Sequence, residues 1–91
     1  MAYQLSGYEV IATLLAGPGS DTLKERVLKA IERIAVEPDH EDMMPVPEAK
    51  LPTFVYTIAA GDEMAALTYC VLGLPLRSVR FLRAEWLSLL T

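Results

Sequence analysis

Four of the six prolines of this 91-residue chain fall between Pro38 and Pro52, and that stretch constrains the fold more than any other. Proline fixes φ and removes an amide, so neither a helix nor a central strand can run through it. Residues 37–52 therefore read as a long loop separating two structured parts. The loop is acidic, with Glu37, Asp39, Glu41, Asp42 and Glu48 against the single cation Lys50. A connection longer than about 12 residues is usually functional or mobile.

Upstream of the loop, the sequence predicts two helices. Ser6 followed by Glu9 has the spacing of a reciprocal capping pair. Leu5, Tyr8, Ile11, Ala12 and Leu15 then share one face, and Gly17-Pro18 stops the element, giving a helix over about 6–16. Asp21 opens a second helix over about 21–36, capped by Ser20 or Thr22. Leu23, Val27, Ala30, Ile31 and Ile34 form its apolar stripe, while Glu25 and Lys29 are spaced for an ion pair. The short Gly17-Pro18-Gly19 turn implies that the two fold back as a hairpin.

Downstream of the loop, the pattern is ambiguous between helix and strand. Phe54, Val55, Tyr56 and Ile58 suit a strand, but with no second strand evident for pairing we expect a helix over 53–60. Gly61-Asp62 breaks it, and Asp62 caps a further helix over 63–73 that is apolar nearly all round. Leu76, Val79, Leu82, Trp86 and Leu89 keep helical spacing in a last helix over 76–90. The fold class expected is thus all-α: one domain, a compact bundle of four to five helices arranged as successive hairpins.

Composition narrows the function. A 53% hydrophobic content and a mean hydropathy of +0.31 exclude a disordered tail. Eight basic against twelve acidic residues leave a net charge of −4, without the excess cations of a general nucleic-acid binder. One cysteine cannot form an internal disulfide. The N-terminus lacks a basic start followed by an apolar run, and the longest uncharged stretch, Met64–Leu76, spans thirteen residues where a membrane helix needs about 20. A cytoplasmic protein is expected.

Catalytic machinery is sparse. Cys70 sits in an apolar segment, where a thiol is normally a small core residue rather than a nucleophile. Asp39-His40-Glu41-Asp42 has metal-ligand chemistry, but adjacent loop residues cannot all face one ion, so a solvated acidic loop accounts for it better. No phosphate-binding glycine loop or nucleophile elbow occurs. We expect no enzyme, no cofactor and no metal.

Binding is the remaining class. So small a domain buries only about 60–65% of its unfolded surface, and this chain carries more apolar helix than that can hide. Tyr56, Tyr69, Phe81, Trp86 and Leu90 are the candidate contact residues. Arg77, Arg80 and Arg83, spaced by three along the last helix, form a candidate electrostatic seam with carboxylates or, alternatively, a nucleic-acid contact. The expected function is a small adaptor, inhibitor or chaperone that buries an apolar helical surface against itself, as a dimer or higher oligomer, or against another protein. Leu14-Leu15-Ala16-Gly17 and Gly61-Asp62-Glu63-Met64-Ala65-Ala66-Leu67, small residues at two helix crossings, loosely resemble the tetratricopeptide-like chaperones of type III secretion. That resemblance implies a helical groove holding a secreted subunit.

Overall fold

The computed structural model describes residues 3–73 and 77–88, and its sheet overturns the all-α expectation. In chain order the elements are β1 (Gln4–Ser6), α1 (Tyr8–Leu15), α2 (Asp21–Val36), β2 (Met44–Pro45), β3 (Thr53–Ala60), β4 (Glu63–Leu72) and β5 (Ser78–Ser88). The strands form one sheet in the order β1-β5-β4-β3-β2, antiparallel except for the β1–β5 pair. The expected helices over 53–60, 63–73 and 76–90 are thus the three long strands, and the loop 37–52 carries the two-residue β2.

Each departure has a local cause. Gly61-Asp62 is the two-residue turn of a hairpin, with Ala60 opposite Glu63 and Gly61 at φ +61°. Glycine at the first central position of such a turn matches the twist of the flanking strands. In β4 Ala65, Leu67, Tyr69 and Val71 alternate as the buried residues of one face, and of the opposite face only Cys70 is buried. In β5 a bulge hides the alternation. Thr68 faces Arg83 whereas Tyr69 faces Phe81, so Leu82 is an extra residue. The inward set therefore changes phase, from Val79 and Phe81 to Ala84 and Trp86, and the three-residue step from Phe81 to Ala84 breaks the two-residue period of a strand.

The two helices are close to expectation, although they pack on the sheet rather than mainly on each other. α2 keeps both expected ends, and the Ser20 hydroxyl accepts from the Leu23 amide at 3.2 Å. Leu23, Val27, Ala30 and Ile34 are its buried face, laid over β3 and β4. α1 lies over β5 and is entered differently from expectation. Ser6 belongs to β1, and Gly7, at φ +81°, caps the helix with no side-chain bond. A Cβ on Gly7 would stand 2.3 Å from the Phe81 carbonyl oxygen, so only glycine lets α1 approach β5 this closely. Glu25 and Lys29 form no ion pair among the described residues.

Both helices cover the same face. Leu14 of α1 accepts a 2.8 Å hydrogen bond from the Trp86 indole, and the Ser20 amide at the head of α2 donates to Glu63. Tyr69, Phe81, Leu67, Leu23, Val27 and Ile34 fill the space between the layers. Tyr69 stacks on Phe54 and meets the edge of Phe81, each at 6.0 Å, while its hydroxyl donates to the Pro38 carbonyl at 2.6 Å. This burial pushes the Tyr69 hydroxyl well above its ordinary pKa, with a smaller contribution from Asp39.

Candidate functional site

Two surfaces remain open once the helices are in place. The first is the sheet face opposite them. Val55 on β3, Met64, Ala66 and Thr68 on β4, and Leu87 on β5 point to it, all of them half-buried or exposed. Thr53 and Cys70 lie buried on the same face toward β2. No helix covers this face among the described residues.

Arg80 and Arg83 belong to that face. A spacing of three would put them on opposite sides of a regular strand; the extra residue Leu82 returns both to one side, opposite Cys70 and Thr68. Arg83 pairs with Glu85, so its charge is already met within the strand. Arg77 precedes β5 in the left-handed region at φ 41°, with its carbonyl accepting from Gln4. The three arginines therefore do not form a single stripe.

The aromatic candidates divide. Tyr69 and Phe81 are fully interior and available to no partner. Trp86 is partly buried beneath the Gly17-Pro18-Gly19 turn, where a Cβ on Gly17 or Gly19 would come within 2.4 Å of its ring. Tyr56 is half-buried below Arg33, whose guanidinium lies 5.9 Å from the ring centroid. Leu90 lies outside the described residues.

The second open surface is the outer edge of β3. β2 pairs only with Phe54 and Val55, leaving Tyr56–Ala60 without a strand on that side among the described residues. Arg26, Lys29 and Arg33 of α2 line a cleft of about 330 Å³ above this edge, floored by Tyr56, Thr57, Ile58 and Ala59. Arg26 donates to the Ala59 carbonyl at 2.6 Å. Arg33 binds Asp42 at 2.7 Å and Tyr56 at 3.3 Å, contacts that raise its already high pKa. His40 accepts the Asp42 amide and also lies 3.2 Å from Arg33. The acidic run 39–42 is thereby drawn toward α2, and among the described residues no three metal-ligating side chains converge.

Sequence reasoning gave Lys29 only a pairing with Glu25 and singled out neither Arg26 nor Arg33. The signal for their placement was Gly61-Asp62 directly after a run rich in β-branched and aromatic residues, a hairpin signature that makes 53–60 a strand. No family model, no curated protein and no solved structure matches the chain. The helical groove implied by the secretion-chaperone resemblance is absent from the described residues, because Gly61–Leu67 is a strand turn and its following strand. No helix among the described residues is long and apolar enough to cross a membrane.

Proposed function

We propose that the protein is a non-enzymatic protein–protein interaction module that buries the uncovered face of its sheet against a second copy of itself or another protein. One observation carries this reading: both helices lie on one side, leaving Val55, Met64, Ala66 and Leu87 facing outward among a polar border of Arg80, Arg83 and Glu85. Apolar patches rimmed by polar groups mark binding surfaces, and an antiparallel sheet without such a role normally presents polar residues to water. The surface concerned is that of the sheet, not the helical one expected from the sequence.

The test is light scattering after size exclusion, on the full chain and on Ala66→Arg. Ala66 is at the centre of the exposed face, so a long cation there blocks association while leaving the core alone. The expected result is a species heavier than 10.0 kDa for the parent chain and a folded monomer for the variant, verified by circular dichroism. A parent chain that is monomeric at every concentration and binds no apolar dye would overturn the proposal.

A further inference from the structure

The β3 edge carries a separate inference, independent of the uncovered face. Backbone groups alternate sides along a strand, and two bonds fix the phase here. The Thr53 carbonyl accepts from Val46 and the Ala59 carbonyl from Arg26, both on the side away from β4. The odd-numbered residues of β3 therefore point their amides and carbonyls outward. At Thr57 and Ala59, both exposed, that leaves two amides and one carbonyl facing the cleft with no strand to pair.

Among the described residues, the chain itself does not fill this place. Continuing β2 backward would set Met43 and Asp42 opposite Tyr56 and Thr57, but Met43 turns into the core and Asp42 binds Arg33. Two cations overlook the gap. Lys29 meets no carboxylate among the described residues, and Arg26 is spent only on a neutral carbonyl. A second copy paired edge to edge across a two-fold axis would bring two sets of Arg26 and Lys29 to one seam, a repulsion that selects against it.

We propose that the β3 edge at Thr57 and Ala59 accepts an extended acidic segment of another protein as an added strand, its carboxylates held by Lys29 and Arg26. Strand addition gives affinity through main-chain bonds and specificity through alternate side chains. The residues facing the helix layer meet the cations and are Glu or Asp. Those between them extend the small-residue surface of Thr57 and Ala59 and are Val or Thr. The net charge of −4 opposes an acidic partner at long range, so the attraction is local to the cleft and weakens with salt.

The probe is a blocked synthetic peptide of about nine residues alternating Glu with Val or Thr, titrated into the full chain. Fluorescence anisotropy reads affinity, and amide NMR shifts read location. The expected pattern has the largest shifts at Thr57 and Ala59 and about tenfold or greater weakening by Lys29→Glu, by Lys in place of the peptide's Glu, and by N-methylation of its ladder amides. Lys29 is exposed and makes no core contact, so its variant stays folded; the N-methylated peptide leaves the protein untouched altogether. Equal binding of the N-methylated peptide would overturn strand addition, as would shifts centred on Val55 and Thr68, no saturation by about 1 mM, or tighter binding of oligothymidylate. Lys29→Glu leaves the oligomeric mass unchanged, so the edge and the uncovered face stand or fall separately.

Discussion

Glycine substitutions separate the two physical demands that shape this chain, backbone conformation and close approach. Gly61 has φ +61° and nothing within 4 Å of where a Cβ would lie, so Gly61→Ala carries only the conformational penalty. A left-handed alanine costs roughly 1–2 kcal/mol, offset by about 0.4–1 kcal/mol from a less flexible unfolded chain, leaving ~0.5–1 kcal/mol net. Gly7 combines φ +81° with a Cβ position 2.3 Å from the Phe81 carbonyl oxygen, 3.0 Å from its nitrogen and 3.1 Å from its carbonyl carbon. Those are backbone atoms of a paired strand, so α1 must move as a unit. Overpacking of this kind adds roughly 1–3 kcal/mol, giving ~2–4 kcal/mol for Gly7→Ala. The difference of ~2 kcal/mol corresponds to a gap of about 8–16 °C in Tm for a domain of this size. Urea unfolding of both variants and of Gly73→Ala, whose Cβ would meet open space, measures it. If Gly7→Ala and Gly61→Ala lose the same stability within about 0.5 kcal/mol, α1 is not pressed against β5 as described.

Further outcomes follow from single contacts. Tyr69→Phe removes the donor to the Pro38 carbonyl and is expected to cost ~1–2 kcal/mol, measured by urea unfolding. Burial raises the Tyr69 pKa in the folded chain, so its neutral form is favoured by folding; that stability is full below about pH 10 and is lost as pH rises through the folded pKa. Stability measured from pH 9 to 11 is expected to fall in the parent chain and to fall less steeply in Tyr69→Phe. Trp86→Phe forfeits the indole bond to Leu14 and part of the packing under Gly19, for a loss of ~1–3 kcal/mol in thermal unfolding. Glu63→Gln withdraws a carboxylate from the Ser20 amide at the head of α2, expected to cost ~0.3–1 kcal/mol and to shrink with added salt.

What the sequence made legible was local. α2 was readable to both ends because its cap, stripe and stop lie within its own residues. The strands were not, because the proof that each is a strand sits in the others. The absence of a second strand, which favoured a helix over 53–60, held only while 63–72 and 78–88 were themselves read as helices. The bulge compounded this, because its exposed extra residue Leu82 falls in helical spacing with the inward Val79 and Trp86. The apolar surplus was visible, but its location was not. Tyr69 and Phe81 are interior, and the outward apolar face belongs to a sheet whose existence had to be known first.

The two long edges of the sheet differ in a way that bears on their use. β1 covers β5 only at Ser78–Arg80, and β2 covers β3 only at Phe54–Val55, so among the described residues both edges are open toward the Gly61 turn. An open edge invites unwanted pairing, and proteins blunt it with bulges, charges or bends. β5 is blunted: the extra residue Leu82 interrupts its ladder, and Arg83 and Glu85 pair beside the break. β3 has no bulge against β4 along Thr53–Ala60, and beyond Val55 only the Ala59 carbonyl is closed off among the described residues, by Arg26. Were both edges merely hazards of a small sheet, the same protection would be expected on each. A regular edge kept beside unneutralised cations is what selective pairing requires, since the charge rejects a second copy of this chain and admits an acidic strand.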